Sequence, residues 1–165
     1  MELDRNCVIE RHRDGCIIST DPEKLDLDVI HRFLSRAYWC EGIPCETLRR
    51  AIGNSLCFGI YTEGRQVGFA RVITDRATFA YLADVFVVET HRGRGLSKWM
   101  MEVIMAHPEL QGLRRWSLGT LDAHGLYHKF GFAPSQFPER LLEIYDPDIY
   151  KHSSNCTGER QLEAT

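Results

Sequence analysis

The chain has 165 residues, 44% hydrophobic and 26% charged, proportions that suit one domain with a continuous core and leave no room for a second. A formal net charge of -3, with no basic tract interleaved with aromatics, argues against a general nucleic-acid surface. No apolar stretch approaches the roughly twenty residues that span a bilayer, and the charged start MELDRNCVIERHRDG is unlike a signal peptide, so a cytoplasmic protein without membrane contact is expected.

In chain order, residues 1–13 read as an extension, 14–145 as the folded domain and 146–165 as a polar tail, with 152–165 too poor in large apolar groups to pack. Residues 15–20 form a short strand that Asp21-Pro22-Glu23 breaks. A helical segment follows in which Leu27, Ile30, Phe33 and Leu34 share one face. After a loop over 38–44, helix resumes over 46–52 and stops at Gly53-Asn54. Strands over 56–61 and 66–74 are joined by the turn residues Glu63-Gly64, and a long central strand covers 78–88.

The helix over 96–105 carries the apolar stripe Leu96, Trp99, Met100, Val103 and Ile104 and ends before His107-Pro108. A strand over 115–118, a helix over 123–130 and a closing strand over 140–145 complete an α/β pattern. The cysteines at 7, 16, 40, 45, 57 and 156 form no Cys-x-x-Cys pair and no metal spacing. His124 and His128 stand at i, i+4, but Gly125 occupies the place where a metalloprotease has glutamate, so no metal is expected.

The segment His91-Arg92-Gly93-Arg94-Gly95-Leu96-Ser97-Lys98 runs from the central strand into that helix. Two glycines let backbone amides approach an anion, and the helix start directs its unpaired N–H groups and positive dipole end the same way. A dinucleotide fingerprint would need a third glycine and a later acidic residue, and a P-loop would need Gly-Lys-Ser/Thr; neither is present.

The turn resembles the Arg/Gln-x-x-Gly-x-Gly/Ala acyl-CoA loop of the GNAT acetyltransferases, matched by Arg92 and Gly95, with Ser97 in place of the last small residue. Residues 123–132, AHGLYHKFGF, resemble that family's second signature, a helix that carries a tyrosine and closes on Gly-Phe. The resemblance implies a mixed, mostly antiparallel sheet splayed between two parallel strands and flanked by helices. It also implies transfer of an acetyl group from acetyl-CoA to a primary amine by direct attack in a ternary complex. A non-catalytic acyl-CoA-binding module is the other reading.

On this resemblance the backbone of Phe86, Val87 and Val88 meets the pantetheine arm, assisted by Thr120 where the family often has asparagine. Amides from Arg92, Gly93, Arg94, Gly95, Leu96, Ser97 and Lys98 receive the pyrophosphate, with added charge from Arg94 and Lys98. Tyr127 is the expected general acid. Trp39 and Glu41 lie where the family builds its acceptor pocket, for a small-molecule amine or a peptide or protein amine, and dimers occur in the family. Asp84 is a carboxylate within the central strand, costly to bury alone. It is either a catalytic base or the partner of an arginine such as Arg71, a further acceptor-side candidate.

Overall fold

The computed structural model describes residues 8–151. Cys7, Cys156 and the segment 152–165 lie outside them. Six strands form one sheet in sequential order: β1 (Glu10–Arg13), β2 (Cys16–Ser19), β3 (Leu56–Thr62), β4 (Arg65–Thr74), β5 (Phe79–Val87) and β6 (Arg115–Ser117). Neighbours are antiparallel up to β5, and β5 pairs with β6 in parallel. A parallel pair needs a crossover, which α3 (Leu96–Met105) supplies.

Helices cover both faces. On one side α1 (Leu27–Leu34) and α2 (Cys45–Gly53) enclose Ile30, Leu34, Leu48, Phe69 and Phe86. Asp26 starts α1 by accepting the Val29 N–H at 3.1 Å, so the Ile30 and Leu34 side of the helix seats against the sheet fully buried. On the other side α3 places Trp99, Met100, Val103 and Ile104 over Phe58, Ile60, Val72 and Leu82, and Tyr127 of α4 (His124–His128) joins that cluster.

Three regions depart from the sequence expectation. Glu10–Arg13 is not an extension before the domain but an edge strand paired with β2, held by backbone bonds that its polar side chains do not announce. No strand forms over 140–145. Pro138–Arg140 makes a 3-10 turn, and Leu142 and Ile144 stand 97% and 106% exposed, because the three-residue β6 offers too short an edge to recruit them. Residues 146–151 are not tail either: Tyr150 packs against the α1–α2 cluster and lies 3.8 Å from where a Cβ on Gly42 would stand.

Candidate functional site

Parallel pairing between β5 and β6 stops early. Phe79, Ala80 and Tyr81 face Arg115, Trp116 and Ser117, and beyond Tyr81 the two strands separate. The rest of β5, from Leu82 to Val87, therefore presents one edge to open space.

A bulge shapes that edge. Phe69 pairs with Phe86 but Arg71 pairs with Ala83, so Asp84 and Val85 together oppose Ala70. Asp84 adopts φ 57°, the left-handed conformation that an extra residue in a strand needs. The insertion reverses the alternation: Ala80 and Leu82 point to the α3 side, whereas Phe86 points to the α1 side and stacks on Phe33 at 3.9 Å.

After the bulge the Val88 N–H donates to Val67 O at 2.8 Å, whereas the Val87 carbonyl accepts from Arg92 Nε at 3.0 Å. Backbone directions alternate along a strand, so Val85 and Val87 face the opening while Phe86 and Val88 face β4. Of the expected Phe86, Val87 and Val88, only Val87 turns its backbone groups to the opening, where Val85 joins it; the Val88 N–H is bonded to Val67 and Phe86 faces β4.

Val87 ends in the glycine turn, where Val87, His91, Arg92, Gly93, Gly95, Leu96, Ser97 and Lys98 line a cavity of about 180 Å³. Gly93 and Gly95 have φ of 73° and 75°, and a Cβ at either would meet no atom within 4 Å, so glycine serves backbone conformation and not space. Gly95 caps α3 without a side-chain hydrogen bond, and the first turn holds no acidic residue. The leading N–H groups of α3 are thus aimed at the cavity with no internal acceptor. Lys98 sits at the rim, 4.0 Å from Glu102, while Arg94 is exposed and outside the lining.

Further along the same edge lies a larger cavity of about 570 Å³. Loop 38–44 walls it with Tyr38 and Trp39, β4 and β5 with Arg71, Tyr81, Asp84 and Val85, the segment after β6 with Thr120, Asp122 and Tyr127, and the C-terminal segment with Tyr145 and Tyr150. Tyr38 Oη accepts the Leu121 N–H at 3.1 Å and ties the first wall to the third. Thr120 Oγ1 accepts the Ala123 N–H at 3.0 Å, which leaves its own proton free to donate.

Tyr127 is 8% exposed, and burial raises its phenol to about 12, with Tyr38 and Asp122 adding to the effect. At neutral pH it keeps its proton. Asp84 is engaged at both oxygens: Oδ2 accepts from Arg71 Nε at 2.8 Å and Oδ1 from Trp39 Nε1 at 3.2 Å. Of the two readings open for Asp84, the geometry displays the arginine pair. Arg71 also donates to Ser55 Oγ at 3.1 Å.

Glu41 is exposed and absent from the lining, its charge felt instead by Lys151. Sequence reasoning missed Val85, Asp122, Tyr38, Tyr81, Tyr145 and Tyr150. Only Tyr81 had a local signal, as the polar-tipped member of the alternation Phe79, Tyr81 on β5. Among the described residues no three of His, Cys, Asp and Glu are grouped to hold a metal, and no helix is long and apolar enough to cross a membrane.

The acetyltransferase (GNAT) domain family matches residues 53–134, the stretch that holds β5, the glycine turn and α4. A Gibberella zeae protein named as a putative acetyltransferase is 35% identical over 140 residues, which is 71% of this chain and 78% of that one. A crystal structure of a GNAT-family protein from Xanthomonas campestris pv. campestris is 56% identical, superposes with a TM-score of 0.82, and is covered over 99% of its length by 84% of this chain. A Clostridium acetobutylicum acetyltransferase crystallised with acetyl-CoA shares the fold at a TM-score of 0.56 and 14% identity, over 84% of this chain and 96% of its own. A sheet splayed beside a bulged strand, a glycine turn capping the crossover helix and these relatives agree: the chain belongs to the GNAT acetyltransferase family.

Proposed function

We propose that the protein transfers an acetyl group from acetyl-CoA to a primary amine by direct attack in a ternary complex. One observation carries this reading: the anion cradle at α3 and the larger cavity open onto a single edge of β5, Val87 lining the first and Val85 the second. That arrangement suits a cosubstrate anchored by phosphate at one end with its reactive end delivered to an acceptor. Acetyl-CoA bound to a GNAT-family acetyltransferase of the same fold from Elizabethkingia anophelis supports its identity.

The residues present fit such a ligand. Amides of Gly93, Gly95, Leu96 and Ser97 hold the diphosphate, and Arg92 and Lys98 offset its charge. The outward backbone groups of Val87 and the Val85 carbonyl pair with the amides of the pantetheine arm, and Thr120 Oγ1 donates a further hydrogen bond. Arg92 releases the Val87 carbonyl as the arm arrives. Bound acetyl-CoA supplies a thioester, whose carbonyl is an electrophile.

The chain's own groups then act on charge that develops during attack. The Val85 N–H, fixed in the sheet edge beside the larger cavity, faces developing negative charge on the carbonyl oxygen. Tyr127 donates a hydrogen bond to the departing sulfur. An alkyl thiol titrates at about 8.5, so its thiolate is a weaker base than a phenolate of about 12, and stabilisation comes from the hydrogen bond before any complete proton transfer. Asp84, held by Arg71 and Trp39, keeps the acceptor loop against β5, and the unpaired Asp122 carboxylate at the cavity rim receives the ammonium proton.

Tyr127→Phe tests the assignment. Its expected outcome is a fall in kcat of about a hundredfold with acetyl-CoA affinity intact, checked by thiol release and calorimetry. An unchanged rate would remove Tyr127 from the chemistry, and acetyl-CoA binding without release for any amine would favour a non-catalytic module.

A further inference from the structure

The larger cavity has a composition that discriminates among amines. Six aromatic side chains wall it: Tyr38, Trp39, Tyr81, Tyr127, Tyr145 and Tyr150. Tyr38 and Trp39 meet edge to face at 5.0 Å, a braced pair and not two free rings. Tyr81 closes the floor, its hydroxyl 3.3 Å from where a Cβ on Gly119 would stand.

Charge inside the cavity is nearly cancelled. Arg71 and Asp84 form an ion pair at 2.8 Å with side chains 15% and 8% exposed. Asp122 remains as a single negative charge without an ion pair among the described residues, and no unpaired cation lines the space. An acceptor bearing phosphate or carboxylate would find only neutral hydroxyl donors there and no free cation to offset its charge. A polyamine would bring two or three ammonium groups to one carboxylate.

From these facts, and resting on the acetyl-transfer reading, we infer that the acceptor is a primary monoamine carried on an aromatic body. Its ammonium enters beside Asp122 and the tyrosine faces, which favour a cation through their ring quadrupoles. The body fills the space between Tyr81 and Tyr145. A volume of about 570 Å³, with two walls tied together by the Leu121 to Tyr38 hydrogen bond, suits a small molecule. The reaction balances without further reagents: the amine nitrogen forms a bond to the acetyl carbon, the carbon–sulfur bond breaks, and of the two protons the ammonium nitrogen loses, one passes by Asp122 to solvent and the other to the sulfur, so that coenzyme A leaves as its thiol.

The test compares acceptors that differ in one group, by thiol release at saturating acetyl-CoA. 2-Phenylethylamine should exceed phenylalanine, its carboxylate-bearing counterpart, in kcat/KM by about tenfold or more, and should exceed spermidine and glucosamine 6-phosphate by a similar margin. Tyr145→Ala, at a position 67% exposed and therefore tolerant of change, should cut the preference for 2-phenylethylamine over n-butylamine several-fold. Preference for phenylalanine, spermidine or the sugar phosphate overturns the inference while acetyl transfer stands. Turnover of none of these amines, with acetyl-CoA bound in calorimetry, also overturns it. Absence of acetyl-CoA binding overturns the transferase reading itself.

Discussion

Asp84 and Tyr127 show how far single residues can be read. A carboxylate inside a strand pattern announced that something must neutralise it, and Arg71 does so; the bulge that turns Asp84 to φ 57° had no sequence signal, because an aspartate there looks like any strand residue. Removing one partner leaves a mostly buried charge alone. Asp84→Asn should lower unfolding free energy by about 2 kcal/mol in urea denaturation, discounted from the fully buried case for the partial exposure of Arg71. Arg71→Met with Asp84→Asn should recover part of that stability, because asparagine tolerates the left-handed φ and no buried charge is left alone, but not the activity. For Tyr127 the raised pKa gives a sign. The phenol stays protonated up to about 12, so Tyr127 itself should impose no descending limb on kcat/KM below about pH 10. A descent near pH 8 that Tyr127→Phe abolishes would contradict the assigned environment.

Elements were legible wherever period and punctuation agreed. The apolar stripe between Gly95 and His107 marked α3 at the bounds observed, and the shared face of Leu27, Ile30, Phe33 and Leu34 marked α1. Edge pieces were not: Glu10–Arg13 lacks apolar alternation because backbone pairing and the ion pairs of Glu10 with Lys24 and Arg13 with Glu102 hold it, and the apolar residues Leu141, Leu142 and Ile144 imitate a strand that has no partner. The glycine turn belongs to the legible class, since its two φ values require residues without a Cβ. Gly95→Ala should therefore weaken acetyl-CoA binding in calorimetry by about fivefold to tenfold, from left-handed strain of about 1 kcal/mol at the cap of α3, with little loss of secondary structure in circular dichroism. Unchanged affinity would mean that the α3 amides do not hold the diphosphate.

For the whole molecule, sequence patterning carried the order of elements from β2 to α4 and the motifs that place the chain in its family, while long-range assembly decided the acceptor side. Tyr38, Asp122, Tyr145 and Tyr150 come from three separate segments that meet only once the sheet has splayed, so no local pattern relates them. Splaying between β5 and β6 is also what joins the anion cradle to that cavity, and the account stands or falls on a ligand occupying both. Calorimetric titration with acetyl-CoA, repeated with ATP as competitor, tests it most directly. One acetyl-CoA per chain, displaced by coenzyme A and only weakly by ATP, is the expected result, because the pantetheine contacts along Val85 and Val87 supply what a nucleotide lacks. No binding, or binding that ATP displaces as well as coenzyme A does, would contradict it.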